Sequence, residues 1–296
     1  MSRKFKHVAV LKGGISKERE ISLRSGAAVA GGLRQAGYAV DEVDVKGPDF
    51  VLPDGVEAVF IALHGEFGED GQIQELLARR GIPYTGADPE SSRLAFAKDL
   101  SKEILARRGI TTPPYEILRN GRPRTLPLPV IVKPTRQGSS FGVHLVRDEI
   151  CWQDALTEAM IYNHETLVEQ YIAGRELTVG IVGREILPAI EIRAPEGNYD
   201  YRAKYTKGVT AYLVPAPLEK RLADDARRLA WETYCALKCR GLGRVDMRLS
   251  PEGAIYVLEL NTIPGFTETS LLPKAAAAAG CGFAPLCARI METAGL

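Results

Sequence analysis

Between residues 244 and 270 the chain reads RVDMRLSPEGAIYVLELNTIPGFTETS, and this stretch gathers side chains able to hold a cation and an anion. Two apolar-alternating runs, 244–249 and 254–261, flank Ser250-Pro251-Glu252-Gly253, and Pro and Gly there signal a tight turn. The pattern predicts a β-hairpin. If Ser250 and Gly253 close it, Ile255 faces Arg248, Val257 faces Asp246 and Glu259 faces Arg244. Residues two apart share a strand face, which puts Asp246, Glu259 and Asn261 on one side. Val245, Met247, Leu249, Tyr256, Leu258 and Leu260 fill the other. Asp246 and Glu259 are then diagonal neighbours ~7 Å apart, repelling by about 2 kcal/mol at an effective dielectric of about 20. Arg244 offsets part of that, and a hard divalent cation would offset more. Two carboxylates and an amide oxygen suit Mg²⁺. The trio equally suits a solvated sheet face with an Arg–Glu pair, and alone it leaves both readings open. The small-residue loop at 262–267 favours the first, because such a loop can present backbone N–H groups to an anion.

A second set of candidates lies in the loop 133–143, KPTRQGSSFGV. Lys133 ends an apolar run, and the glycine-flanked loop after it carries the hydroxyls of Ser139 and Ser140. Its N–H groups and hydroxyls can cover phosphates while Lys133 adds a point charge. A flexible hairpin loop would explain Gly138 and Gly142, but it leaves Lys-Pro and paired serines in one loop to coincidence. Lys98 sits on a helix predicted over 91–108. The strand predicted at 166–171 runs through Ile172-Ala173-Gly174 into another at 176–182. That glycine-broken join predicts a hinge whose backbone pairs with a purine. Glu169 and Glu176 would accept hydrogen bonds from the nucleotide there, although each Glu taken alone is more often solvent-facing.

The elements that must position these residues follow from periodicity. Strands at 7–11, 39–45 and 58–63, with Gly13-Gly14 and a helix over 17–35 capped by Ser16, spell βαβ and a parallel sheet. Neither a dinucleotide nor a P-loop glycine motif occurs. Glu18 lies at the carboxyl edge where open α/β sheets bind ligands, though an acid there also complements the helix dipole. His64 opens HGEFGEDG at the same edge, which an ordinary polar βα loop would also explain. Further strands are predicted at 115–118, 130–133, 143–146 and 186–192, and helices at 149–163, 222–237 and 274–279. The polar loop 195–208, PEGNYDYRAKYTKG, has the length of a lid. Its three tyrosines argue against disorder, and Lys204 and Tyr205 are the lid candidates; a packed loop with a solvated lysine is the alternative.

Composition narrows the class. At 296 residues, 25% of them charged and with a net charge of +1, the chain points to neither nucleic acid nor an acidic membrane surface. Apolar stretches are too short to span a bilayer, and MSRK is followed by no apolar signal core. The expectation is a cytoplasmic enzyme or binding protein. Five cysteines at irregular spacings suit core thiols better than a bridge or, at Cys235 and Cys239, a zinc site.

Taken together, HGEFGEDG, KPTRQGSSFGV, YDYRAKY, SKEREIS around Glu18, and 244–270 with its Glu-Leu-Asn-Thr-Ile-Pro-Gly run resemble the D-alanine–D-alanine ligase family of the ATP-grasp superfamily. The motifs fall in family order from residue 13 to residue 280. The resemblance implies a Rossmann-like parallel-sheet domain at 1–90, a central ATP-grasp domain at 91–172 and a C-terminal one at 173–296, with ATP between the last two. It implies that Lys98, Lys133 and Ser140 meet phosphates. Glu169, Glu176 and the backbone of Gln170, Tyr171 and Ile172 would lie by adenine and ribose. Asp246, Glu259 and Asn261 would hold two Mg²⁺ ions, with Mn²⁺ able to serve instead. Glu18, Ser139 and Tyr205 would hold the first D-alanine and close the lid with Lys204, and His64 would lie near that substrate. Arg244 and the Gly265 N–H would stabilise the reacting carboxyl group, and Ser270 and the Leu271 N–H would bind the second carboxylate. It also implies a homodimer, and Tyr205 favours the dipeptide, since relatives making the D-alanine–D-lactate ester lack that tyrosine. Two rivals are a related carboxylate–amine ligase with another acceptor and a nucleotide-binding regulator; the intact metal trio argues against the second.

Overall fold

The computed structural model describes residues 3–119, 123–162, 165–195, 203, 206, 208–267 and 270–296. The chain opens as a βαβ unit: β1 (His7–Gly13), α1 (Arg19–Gln35), β2 (Ala39–Val45) and β3 (Ala58–Ile61), forming a parallel sheet in the order β2-β1-β3. Val8, Val10 and Phe60 face Val29 and Leu33 of α1 in one fully buried cluster. The short amphipathic α2 (Gln72–Arg79), absent from the sequence expectations, covers the other face with Ile73 and Leu77.

The helix expected over 91–108 is two helices. Asp88 caps α3 (Pro89–Phe96) by accepting the Ser91 N–H at 2.8 Å, with Pro89 at the first position, an arrangement worth about 1 kcal/mol. Ala97 is extended, and α4 (Lys98–Arg107) starts afresh from it. The break directs Lys98 N–H to Thr135 O at 2.9 Å. An antiparallel sheet follows from β4 (Tyr115–Arg119), β5 (Val130–Pro134), β6 (His144–Val146) and β7 (Glu165–Gln170), in the order β4-β7-β5-β6, with α5 (Trp152–Met160) against it.

The third sheet comprises β8 (Arg175–Val182), β9 (Glu185–Ile186), β10 (Ile190–Arg193), β11 (Ala211–Leu213), β12 (Leu242–Leu249) and β13 (Ile255–Asn261). Pro188 stands between β9 and β10, so the single strand expected at 186–192 is split. Helix α6 (Lys220–Ala236) packs Ala226, Leu229 and Ala230 on the β8–β12–β13 face. Cys151 and Cys235 are exposed, so the expectation of core thiols fails at both, whereas Cys287 is buried. The last helices, α7 (Leu271–Ala278) and α8 (Phe283–Glu292), return to the first sheet, where Leu272, Leu286 and Ile290 share the cluster of Val10 and Leu33. Among the described residues no single helix is long and apolar enough to cross a membrane. The α7–α8 pair bends by 105° and buries its apolar side in that cluster.

The β12–β13 hairpin departs from the expected register twice. Ser250 N–H bonds to Ala254 O at 2.8 Å, so Ser250 and Ala254 close the turn around Gly253, whose φ is +86°. Leu249 therefore pairs with Ile255 and Arg248 with Tyr256. A second slip follows: Met247 pairs with Val257 but Asp246 with Glu259, leaving Leu258 as a bulge. Ile255 and Val257 thus join the core, Tyr256 shares a face with Arg248, and Leu258 turns to the cleft described next. The bulge has a local cause, because Val257 is bonded elsewhere: its N–H donates to Thr111 O at 2.8 Å and its carbonyl accepts Thr112 Oγ1 at 2.9 Å.

Candidate active site

A cleft between the second and third sheets is lined by Lys98, Lys133, Ser139, Ser140, Glu169, Gln170, Tyr171, Ile172, Glu176, Asp246 and Glu259. Its apolar walls are Ile131, Val143, Leu145 and Leu258, a slot with charged groups at its ends that suits a nucleotide. At the hinge end Arg248 donates to Ile172 O at 3.1 Å and pairs with Glu176 at 3.3 Å. Arg248 and Arg147 flank the Tyr171 ring at 5.5 and 5.7 Å, which stiffens the join between β7 and β8. At the opposite end Lys98 Nζ donates to Gln137 O at 2.7 Å and lies 3.3 Å from Glu259 Oε2. Glu169 is buried between Lys133 and Lys102. Burial opposes its charge, but the two ammonium groups outweigh burial and hold its carboxyl below the usual range.

Asp246, Glu259 and Asn261 converge at the open end of the hairpin. Asp246 accepts Arg244 in a two-pronged contact at 2.9 and 2.7 Å, Thr178 Oγ1 at 2.6 Å and Asn261 Nδ2 at 2.9 Å. Asp246 and Glu259 are paired directly across the two strands, a closer placement of the residues than the diagonal one expected from the sequence. The set fits a hard divalent cation: two carboxylates and one amide offer oxygen, and Arg244 and Lys98 supply their balancing charge here. Among the described residues no three His, Cys, Asp or Glu side chains form a metal-binding group, so the amide of Asn261 is needed to complete a set. Thr178 and Arg248 were not among the sequence candidates. Their place in β8 and β12, two residues from Glu176 and Asp246, was the available signal.

A third cluster joins the first sheet to this cleft. Ser139 Oγ donates to Glu18 Oε1, and Gly138 lies so close that a Cβ there would sit 2.8 Å from Glu18 Oε2. Ser139 and Ser140 hold φ of +47° and +61°, a conformation costly for residues with a Cβ. Glu18 lies before α1 without capping it by its side chain, and Ser16 instead bonds His64 O at 2.7 Å. Glu69, unassigned in the sequence reading, accepts the Gly65 N–H at 2.9 Å. Burial first, and then neighbouring Glu18, raise its carboxyl well above the usual range. His64 is buried with Nε2 3.3 Å from Ser25 Oγ, which also accepts the Phe266 N–H at 3.2 Å. Burial lowers His64 to about 4, so it stays neutral. Gly265 and Ser270 are neighbours: a Cβ on Gly265 would lie 2.9 Å from Ser270 Oγ, which accepts the Thr267 N–H at 2.8 Å. Ser270 precedes α7, and the Leu271 N–H opens that helix, a natural place for a carboxylate. Lys204 and Tyr205, with most of the loop expected to be a lid, lie outside the described residues.

Paired antiparallel sheets gripping such a cleft, beside a parallel-sheet domain, define an ATP-grasp architecture. The profile described as D-ala D-ala ligase C-terminus matches residues 104–292, and the one described as D-ala D-ala ligase N-terminus matches residues 46–87. The chain belongs to the D-alanine–D-alanine ligase family. It is 47% identical to the D-alanine–D-alanine ligase of Methylacidiphilum infernorum (isolate V4), covering 97% of this chain and 95% of that one. It is 46% identical to that of Syntrophotalea carbinolica, covering 98% and 97%. The crystal structure of the Bacillus anthracis D-alanine–D-alanine ligase complexed with ATP superposes with a TM-score of 0.85 at 33% identity, covering 98% and 97%. The VanG D-Ala:D-Ser ligase of Enterococcus faecalis gives 0.84 at 28%, covering 97% and 98%.

Proposed function

We propose that the chain joins two D-alanine molecules into D-alanyl-D-alanine for peptidoglycan precursor synthesis, converting ATP to ADP and phosphate through a D-alanyl phosphate. The observation that carries this reading is the convergence on one cleft of the phosphate loop, the hinge and the Asp246–Glu259–Asn261 hairpin, with Glu18 tied to Ser139 across the sheets. Adenine lies against Leu258 and the 170–172 backbone, with Glu169 and Glu176 as acceptors. Lys98, Lys133 and the hydroxyl of Ser140 meet the phosphates. Asp246, Glu259 and Asn261 would hold two Mg²⁺ or Mn²⁺ ions, which when bound neutralise charge on the transferring phosphoryl group.

The chain's own groups act on the amino acids. Glu18 takes the ammonium of the first D-alanine while Ser139, His64 and Tyr205 orient it. Its carboxylate attacks the γ-phosphate, and the amine of the second D-alanine then displaces phosphate from the acyl carbon. Arg244 and the Gly265 N–H stabilise the oxyanion, by about 3 kcal/mol where one donor is lost. Ser270 and the Leu271 N–H hold the second carboxylate. The acyl phosphate hydrolyses in water, so Lys204 and Tyr205 act in the loop that excludes it. The domain division at 1–90, 91–172 and 173–296 belongs to this proposal and is supported by one sheet within each. So do a cytoplasmic location and a homodimer, for which light scattering should give about twice the 32.3 kDa of one chain.

The test is phosphate release from ATP and Mg²⁺ with D-alanine, D-serine or D-lactate as acceptor. Turnover dependent on D-alanine is expected, with Glu259→Gln lowering it by about 10²- to 10³-fold. Turnover with another acceptor and none with D-alanine would leave the family and overturn the substrate.

A further inference from the structure

Lys102 plays no part in the assignments above, yet it is the most deeply buried lysine described. It lies one helical turn beyond Lys98 on α4 and is fully enclosed. Its Nζ is 2.5 Å from Glu169 Oε1, donates to Val257 O at 3.1 Å and donates to Thr112 Oγ1. The other Glu169 oxygen, Oε2, is paired with Lys133. One buried carboxylate thus holds two ammonium groups, and only Lys133 lines the cleft; Lys102 sits behind its wall.

We infer that Lys102 is a positioning residue: the standing counter-ion of Glu169, which lets Lys133 leave that pair and meet the triphosphate. The inference rests on the reading of Lys133 as a phosphate ligand. If Lys133 were the only cation beside Glu169, moving it toward phosphate would strand a buried carboxylate, which is strongly unfavourable. Lys102 removes that obstacle because it cannot follow. Val257 O and Thr112 Oγ1 fix its ammonium from the third sheet and the 111–112 segment. Burial pulls Lys102 down to about 8 while Glu169 pulls it back up, so it remains mostly charged at neutral pH.

The experiment measures binding of a non-hydrolysable ATP analogue with Mg²⁺, and of adenosine, to the full chain without D-alanine. Lys102→Met should weaken the triphosphate by roughly tenfold or more, since Lys133 becomes the captive partner of Glu169, and adenosine by less than about threefold. Adding Glu169→Gln to Lys102→Met removes the captor and should restore triphosphate affinity to within about threefold of Glu169→Gln alone. Equal losses for both ligands, or a double variant no tighter than Lys102→Met, would overturn the proposal. If Lys102→Met does not fold, the comparison of the double variant with Glu169→Gln decides alone: a further triphosphate-selective loss there overturns it. Wild-type turnover with D-alanine is measured in parallel. Its absence alongside the selective loss would sink the ligase reading and leave Lys102 standing. A wild type that binds no triphosphate would overturn both.

Discussion

A buried histidine without an acidic partner is a neutral histidine, and this governs how His64 can serve a cationic substrate. Burial lowers it to about 4 against an ordinary 6.5, so it can meet an ammonium without charge repulsion. The unfolded chain takes up its proton near pH 6.5 and the folded chain does not. This residue's contribution is therefore complete above pH 6.5 and is lost as pH falls toward 4. Between pH 7 and 5, wild type should lose about 2 kcal/mol more stability than His64→Gln in denaturant titrations at the two pH values. An imidazole resonance of His64 titrating near 6.5 would refute this. Glu69 has the opposite sign. Its raised carboxyl favours the folded state at low pH and weakens it as pH rises through neutrality. Spacing exposed Lys133 and Glu176 because each stands at the end of a predicted strand, whereas Lys98, inside the helix predicted over 91–108, came from the family resemblance alone. Lys102 and Glu69 were hidden because burial, not position, makes them important. The one visible hint for Lys102 was its place four residues after Lys98, on the same helix face.

Secondary structure was legible where pattern and punctuation agree: β1 follows from an apolar run ended by Gly13-Gly14, α1 from the segment after that break, and the β12–β13 hairpin from alternation around Pro251 and Gly253. What alternation could not reveal was the two slips in the hairpin. One slip inverts every face, and the second restores it, so Asp246 and Glu259 end on one side by two cancelling shifts. The cause of the second is tertiary, since Val257 bonds to the 111–112 segment. The break at Ala97 and the helix α8 were likewise missed, the first because it depends on Thr135 O, more than thirty residues away. Deleting Leu258 tests the bulge. Without Leu258 the ladder runs on regularly, with Asp246 still opposite Glu259 and Asn261 still opposite Arg244, so the trio keeps its face and only the Leu258 side chain is lost from the cleft. The variant should lose adenosine affinity by roughly tenfold, while the extra affinity that Mg²⁺ gives a triphosphate changes by less than about threefold, measured by calorimetry with and without the metal. Loss of that metal-dependent gain would show that the bulge itself, and not the pairing beyond it, sets the trio.

Across the whole molecule, the three sheets are held together by small contacts at the site and large ones behind it. In front, Ser139 reaches Glu18 and Lys98 reaches Glu259. Behind, α8 packs on α1, and Phe266 stands edge-on to Phe60 at 5.4 Å and to Phe283 at 6.3 Å. Phe266 follows Gly265 directly, so the loop proposed to stabilise the oxyanion is anchored in the first sheet and the last helix, away from the nucleotide cleft. This predicts a division of labour between substrates. Phe266→Ala should cost about 3–5 kcal/mol through the cavity it leaves, lowering the melting midpoint by roughly 6–12 °C. At a temperature where it stays folded, kcat and the KM for D-alanine should worsen by about tenfold or more, since a 1 Å shift of a positioning group is felt strongly. The KM for ATP should change by less than about threefold, because Lys133, Glu169 and Leu258 belong to the other two sheets. An ATP KM that rises as far as that for D-alanine would show that anchoring the loop and shaping the nucleotide cleft are one task, not two.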